Sequence, residues 1–249
     1  IASIEELAKH CSTTSVMLSD HHSLGAFPIS EFGTEEQKQK YLVPLLKGEK
    51  LGAFAVTEPS AGSDLGNQKT TAVDKGDYWL LNGAKIFITN GFYADTYFVT
   101  AVTDKSQRNR GISAFIVEKG TPGFTFGTKE KKMGIRGSAT YELVFQDCKI
   151  PKENLLGELG KGFKMALITL DGGRIGVAAQ ALGIAQSAID HCKKYVTEHM
   201  QGDQRISQYQ FTQFELADMQ TRVDAARLLV YRAAQAKQDH EPFSQLAAM

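Results

Sequence analysis

The chain has little of what would tie it to metal, nucleic acid or membrane. Its 249 residues include only three cysteines. Cys11, Cys148 and Cys192 lie far apart, without the C-x-x-C spacing of a zinc or redox site. His21 and His22 are adjacent, and His191 and His199 lie eight apart, but none has further ligands nearby, so no metal site is expected. The 28 basic and 28 acidic side chains cancel, which removes the electrostatic footprint of a nucleic-acid binder. No apolar run approaches the roughly 20 residues that a bilayer span requires, and no charged-then-apolar signal sequence opens the chain. Glycine-rich nucleotide loops are missing as well. Neither G-x-G-x-x-G nor G-x-x-x-x-G-K-[ST] occurs, so Rossmann and nucleoside-triphosphatase readings have no support. A soluble, intracellular, non-secreted protein is the resulting expectation. Chains of this size bury roughly 70% of their unfolded surface, so disulfides are not needed to fold it.

What is present sorts into three zones. From Ile1 to about Lys50, apolar residues recur at helical spacing (Ile4, Leu7 and Ala8, then Val16, Met17 and Leu18). Thr34-Glu35-Glu36-Gln37 is a capping box that opens a helix carrying Tyr41, Leu42 and Leu45, with a kink expected at Pro44. From Leu51 to about Pro151 the pattern is β: Leu51–Thr57, Tyr78–Leu81, Lys85–Thr89, Thr96–Val102, Ile112–Glu118 and Thr140–Asp147 read as strands. Asn82-Gly83 predicts a hairpin turn between the second and third of these. Strands at this spacing predict a small barrel or sandwich. From Gly162 onward the chain is helical again. Phe163 to Met200 holds no proline and would span roughly 57 Å as one helix. A second helix is predicted from Tyr209 to Gln238, with Phe214, Ala217, Val223, Ala226 and Val230 on related faces. Such long alanine-seamed helices suit a bundle. The division is therefore a helical part at 1–50, a β part at 51–151 and a helical part at 152–249. The chain opens without Met and within helical sequence, and it closes in helix-compatible residues, so it reads as processed or as a piece of something longer.

Three segments are candidates for chemistry. Thr57-Glu58-Pro59-Ser60-Ala61-Gly62-Ser63-Asp64 follows a strand, and its small residues let a ligand approach the backbone; a plain surface turn is the other reading. Lys85–Gly91 ends a strand with a threonine and a glycine, which can set a hydroxyl and bare backbone against a flat ligand or simply enter a turn. Asp171-Gly172-Gly173-Arg174 puts two glycines inside a helix at a cost of roughly 2 kcal/mol relative to alanine. Close packing against the helix or a helix junction accounts for them equally.

Six motifs in one order then mark a resemblance. These are G-T-E-E-Q-K-x-K-Y-L at Gly33–Leu42, F-A-V-T-E-P-S-A-G-S-D at Phe54–Asp64 and L-N-G-x-K-x-F-I-T-N-G at Leu81–Gly91. M-G-I-R-G-S-x-T-x-x-L-x-F-x-D at Met133–Asp147, D-G-G-R-I-G-V-A-A-Q-A-L-G-I-A-Q at Asp171–Gln186 and Q-F-x-L-A-D-M at Gln213–Met219 complete the set. Together they resemble the acyl-CoA dehydrogenases and cover nearly the whole chain. The resemblance implies a multi-domain α and β protein: the end of an N-terminal helical domain (1–50), a central β domain (51–151) and the start of a C-terminal helical bundle (152–249). It implies FAD as cofactor and α,β-dehydrogenation of an acyl-CoA thioester, with electrons passed to an electron-transferring flavoprotein.

By the same resemblance, Phe54 through Ser63, including Val56, line the flavin and pantetheine. Thr57 bonds the pyrimidine side of the isoalloxazine, and Ser63 touches the CoA portion. Phe87, Ile88 and Thr89 cover the other ring face. Asp171, Gly172, Gly173 and Arg174 meet the acyl-CoA, and Gln210 reaches the FAD of a neighbouring subunit in a homotetramer. His199 stands where family members often carry an arginine for the FAD phosphates, and a histidine is a weaker, pH-dependent phosphate partner. Gly173 occupies the place of the catalytic glutamate of isovaleryl and long-chain members. The base is therefore expected on a later helix, beyond Met249, and no catalytic residue is expected within the chain. D-G-G-R followed by A-Q-A-L-G-I-A-Q is most like the butyryl (short-chain) or short branched-chain members. The implied compartment is bacterial cytoplasm or mitochondrial matrix. Competing readings are a related acyl-CoA oxidase or flavin monooxygenase, and a non-catalytic fragment or assembly module of the same fold.

Overall fold

The computed structural model describes residues 1–249, and the chain forms two compact units. One is Met17–Gly173, and the other joins Ile1–Val16 to Arg174–Met249. The first contains β1 (Gly52–Ala55), β2 (Thr71–Asp74), β3 (Tyr78–Thr89), β4 (Thr96–Val102), β5 (Ile112–Glu118), β6 (Phe124–Lys129), β7 (Thr140–Pro151) and β8 (Leu155–Leu156). Their order in the sheet is β6-β7-β3-β2-β4-β5-β8, with β1 also paired to β4. The β1–β4 and β2–β4 pairings are parallel and the others antiparallel.

Side-chain alternation explains how the sheet serves two cores. Ala53, Ala55, Tyr97, Val99, Phe115 and Val117 point to one side, where they meet Trp79, Leu81, Phe124, Leu143 and Phe145. Phe54, Val56, Phe98, Ala114 and Ile116 point to the other, against Ile29, Tyr41, Leu45 and Met165 from helical segments. β4 and β5 are thus buried on both faces, which is why they read as unbroken apolar runs. The Phe54 and Phe98 rings stack with centroids 4.9 Å apart. Cys148 lies inside the first core, and burial pushes its thiol up to about 11.

The sequence places β4 and β5 correctly but misreads three features. Thr71–Asp74 and Phe124–Lys129 are strands too short and too polar to stand out. Asn82-Gly83 is no hairpin turn: β3 runs continuously from Tyr78 to Thr89, and the pairing with β7 shifts register between Leu81 and Gly83. Gly83 adopts φ 147° at this bulge, and an added Cβ would sit 2.4 Å from Thr70 Oγ1 and 2.6 Å from Thr70 Cα. A type I′ turn needs positive φ at both positions, and only Gly83 has it; the extra residue of the bulge lies opposite, on β7, where Asp147 adopts φ 48°. The true β2–β3 turn is one strand-length earlier, at Lys75–Asp77, where Gly76 has φ 86°. Its N–H donates to Asp74 Oδ1 at 2.9 Å.

In the N-terminal helices the Thr34–Gln37 capping box forms as expected. The helix it opens meets Pro44 by widening rather than by a sharp break: Lys38–Leu42 is π-helical, and Val43 N–H reaches back to the Lys38 carbonyl. A wider turn before a proline relieves the ring's clash with the preceding turn. A second π-helical segment, Asp20–Ala26, had no signature in the sequence.

The other unit is helical. Gly162–Glu198 forms one helix despite Gly172 and Gly173, its part from Arg174 onward belonging to this unit, and Gln210–Gln238 forms the second. Leu182, Ile189 and Val223 make the buried seam of this unit, with Ala185 and Val230 packed beside them. Phe214, expected on this face, is 64% exposed. An apolar groove of about 380 Å³ runs along the seam, lined by residues including Ala178, Leu182, Ala226 and Val230. Glu5 is buried and accepts from Arg227 Nε at 2.8 Å and Tyr231 Oη at 3.1 Å, tying Ala2–His10 to the second helix. Cys11 and Cys192 are exposed. No helix is long and apolar enough to cross a membrane.

Gly83→Ala should test the close approach of β3 to Thr70. Strain at positive φ together with the overlap on Thr70 is expected to cost about 2–3 kcal/mol, read as a lower urea midpoint with an unchanged slope.

Candidate functional site

Two adjacent segments of the first unit bring most of the sequence-predicted residues together. Residues 54–64 leave β1, and residues 85–91 end β3. They meet directly where Ile86 N–H donates to the Thr57 carbonyl at 2.9 Å. Beyond Thr57 the loop is cinched twice. Glu58 and Ala61 exchange backbone hydrogen bonds at 2.9 and 3.1 Å, and Asn67 Nδ2 donates to the Ser60 carbonyl at 3.1 Å. Ser63 lies exposed at the tip of this loop.

The residues within each segment divide by role. Phe54 and Val56 have their side chains in the core, whereas Thr57 is half-buried, and its N–H and hydroxyl have no intramolecular partner. On β3, Ile88 points into the sheet core. Phe87 adopts φ 59° and is 58% exposed. The second register shift of β3, between Lys85 and Ile88, produces this exchange of faces. Thr89 is half-buried, again with an uncommitted hydroxyl. One exposed aromatic ring and two threonines with free polar groups therefore flank a single junction, which fits a flat, heteroatom-edged ligand.

Beneath the junction lies an ion pair that the sequence reading did not single out. Lys85 is wholly buried, and its Nζ donates to Glu58 Oε1 at 2.7 Å. Burial pushes the Lys85 ammonium down to about 8, with the Glu58 charge opposing that fall. For Glu58, burial favours the neutral acid, but the Lys85 charge and the Lys69 and Thr70 amides outweigh it and hold the carboxylate below its ordinary range. A signal was available: Trp79, Leu81 and Lys85 share one parity of β3, and a lysine on an inward parity requires a buried carboxylate.

Asp20 is a second unread feature. It is buried in the π-helical segment, and its Oδ2 accepts from Asn90 Nδ2 at 3.3 Å. Burial pushes its carboxyl well above the ordinary value, opposed by that hydrogen bond. Its neighbour His21 is structural: Gly52 N–H donates to Nδ1 at 3.0 Å, and Nε2 donates to the Leu45 carbonyl at 3.1 Å. That pair of bonds defines the neutral tautomer, and burial lowers its pKa.

The remaining predicted residues lie along the helices. Gly172 and Gly173 are buried, and a Cβ on Gly173 would come 2.7 Å from Leu24 Cδ2. Close packing therefore accounts for Gly173, since the helix is unbroken. Asp171 is half-buried and Arg174 exposed. His199 and Gln210 belong to the helical unit and are both exposed. The His199 ring stacks on Tyr195 at 3.8 Å, and its Nδ1 donates to the Tyr195 carbonyl at 2.9 Å. Only Nε2 remains, and it can donate only from the imidazolium. The segment after it forms two short paired strands, β9 (Met200–Gln201) and β10 (Gln204–Arg205), turning at Gly202 with φ 67°.

The two motif segments, the sheet that presents them and the long helices belong together in one family, matched along the chain. Residues 1–49, 53–148 and 160–249 match the acyl-CoA dehydrogenase N-terminal, middle and C-terminal domains. The chain belongs to the acyl-CoA dehydrogenase family. It is 57% identical to the short-chain specific acyl-CoA dehydrogenase of Megasphaera elsdenii over 100% of this chain and 65% of that protein. The solved butyryl-CoA dehydrogenase of the same organism superposes with TM-score 0.98 at 56% identity, covering 99% of this chain and 64% of that one. A chain from the structure described as the electron transferring flavoprotein of Acidaminococcus fermentans matches with TM-score 0.98 at 59% identity, over 99% of this chain and 65% of that one. The chain thus spans about two thirds of the length of these relatives.

Asp20→Asn keeps the acceptor for Asn90 and removes the ionisation. The folded state of the native protein holds the proton more tightly than the unfolded state, so its stability falls as pH rises past the ordinary carboxylate range. The variant is therefore expected to be more stable by about 1–2 kcal/mol at pH 8, and the gap should close toward pH 4 in paired thermal melts.

Proposed function

We propose that this chain carries the FAD-binding sheet and part of the acyl-CoA site of a short-chain acyl-CoA dehydrogenase. The reaction is α,β-desaturation of a short acyl-CoA thioester, with an electron-transferring flavoprotein as electron acceptor. The observation that carries the reading is the junction of residues 54–64 and 85–91: the uncommitted Thr57 N–H and hydroxyl and the Thr89 hydroxyl flank the exposed Phe87 ring. Identity above one half to short-chain relatives supports the substrate class. An electron-transferring-flavoprotein structure among the matches supports the acceptor.

FAD, when bound, supplies the two-electron chemistry, accepting the substrate's β-hydrogen as hydride. The chain's own residues do the holding. Thr57 offers an N–H and a hydroxyl to the polar edge of a flavin, where fixed donors outperform mobile water because they need no reorganisation. The Thr89 hydroxyl supplies another donor, and Phe87 gives the ring an apolar neighbour. Ser63, at an exposed loop tip, is assigned to the CoA portion. Asp171, Gly172, Gly173 and Arg174 are assigned to the acyl-CoA, and His199 and Gln210 to FAD. Removal of the α-proton falls to a carboxylate outside these 249 residues. A homotetramer in bacterial cytoplasm or mitochondrial matrix is the setting this function implies.

Purified full-length protein should show a flavin absorbance band that bleaches on anaerobic addition of butyryl-CoA. A flavin-free protein, or a band indifferent to butyryl-CoA, would sink the proposal. Thr57→Val, which removes a hydroxyl at constant shape, is expected to weaken FAD binding about 3–10-fold while leaving the melting temperature of the flavin-free protein in place.

A further inference from the structure

Lys85 directs one of its bonds to the main chain. Four acceptors surround its Nζ: Glu58 Oε1 at 2.7 Å, Gln68 Oε1 at 2.9 Å, the Val56 carbonyl at 3.2 Å and Thr100 Oγ1 at 3.4 Å. An ammonium has three N–H bonds. Thr100 is the most distant acceptor, and its hydroxyl is itself committed to Gln68 Oε1 at 2.8 Å. Glu58 and Gln68 take two of the three N–H bonds, and the third goes to the Val56 carbonyl, where it also orients a peptide.

The Val56 carbonyl and the Thr57 N–H belong to one planar trans peptide, so they point in opposite directions. Drawing the carbonyl inward to Lys85 turns the Thr57 N–H outward. The next peptide is fixed as well, by Ile86 N–H on the Thr57 carbonyl and by Glu58 N–H on the Ala61 carbonyl, both at 2.9 Å. Glu58, on the far side of Thr57, is held by Lys85 and by the Lys69 and Thr70 amides at 2.6 and 3.2 Å. Thr57 is therefore clamped from both neighbours, and the clamp originates on the strand that continues to Phe87 and Thr89.

We propose that Lys85 is a positioning residue for the flavin: it sets the Val56–Thr57 peptide so that the Thr57 N–H faces the cofactor, and it holds residues 54–63 in register with residues 85–89. This rests on the flavin reading of Thr57 given above. Every bond of the clamp joins groups of the chain itself, the kind of supporting shell that holds a binding group in place.

Two variants of the full-length protein, K85M/E58Q and E58Q, separate positioning from stability. K85M alone leaves a carboxylate buried without its partner and is expected to be too unstable to interpret. K85M/E58Q removes both charges and the donor to Val56. E58Q alone keeps that donor: burial already draws the Lys85 ammonium down to about 8, so without Glu58 it stays buried as the neutral amine, which still donates to Val56 and Gln68. The double variant should fold, bind FAD about tenfold more weakly (the equivalent of about 1.4 kcal/mol) and lose structure in the flavin absorbance band. In the flavin-free state its residues 54–63 should exchange amide hydrogen faster, with β4 and β5 unaffected. E58Q should melt lower yet bind FAD within about twofold of the native protein, less than the roughly 1 kcal/mol of one hydrogen bond. Native-like FAD affinity in K85M/E58Q, or equal exchange of residues 54–63 in the two flavin-free proteins, overturns the clamp. Absence of FAD uptake by the native protein instead overturns the flavin reading, and the exchange comparison still decides whether Lys85 orders the loop.

Discussion

A charged lysine with no solvent contact is the constraint around which the sheet is arranged. Removing an ammonium from water is tolerable only if a carboxylate and further acceptors wait at the same spot. The chain just past β1 delivers Val56, the loop to β2 delivers Glu58 and Gln68, and β4 delivers Thr100, all around a lysine on β3. Those elements are distant in sequence, so the pair is satisfied only when the strands are in register. A slip of one residue would turn Lys85 outward and leave Glu58 uncompensated. The pair therefore works against misregistered sheets as much as for the native one.

β3 carries a second design element in its two register shifts. Trp79, Leu81 and Lys85 point inward, but Ile88 does so only because the strand bulges between Lys85 and Ile88. The bulge turns Phe87 out at φ 59° and leaves Thr89 near the surface. With Lys85 inward, unbroken alternation would bury Phe87 and Thr89 and expose Ile88; the extra residue reverses that, and the reset strand pairs again with β7 through Tyr141 and Thr140. Site geometry and strand irregularity are here the same fact.

Much of this was legible in the residues. The unbroken apolar runs of β4 and β5, the capping box at Thr34, the absence of proline from Phe163 to Met200 and the long second helix each follow from local patterning, and each is present. The motif segments were legible too, as short polar stretches at strand ends. What escaped was non-local. Asn82-Gly83 reads locally as a turn, and only the pairing with β7, which carries the bulge opposite Gly83, shows that the strand continues. Lys85 and Glu58 lie 27 residues apart, so neither announces the other. Asp20 sits in a π-helical segment whose sequence carries no distinguishing period. Phe214 fits the helical period of the seam yet is exposed, because periodicity gives a face without saying whether anything covers it.

The placement of the cysteines divides thiol chemistry between the two units. Cys148 is sealed in the sheet core with its thiol held up at about 11, so it resists both alkylation and oxidation. Cys11 and Cys192 are exposed and both belong to the helical unit. The Thr14 hydroxyl, 3.3 Å from the Cys11 sulfur, favours the thiolate there. A maleimide dye or spin label added to the native protein consequently marks the helices and leaves the sheet untouched. Spectroscopy of the helical unit is thus possible without engineering a single residue near the ligand-facing segments.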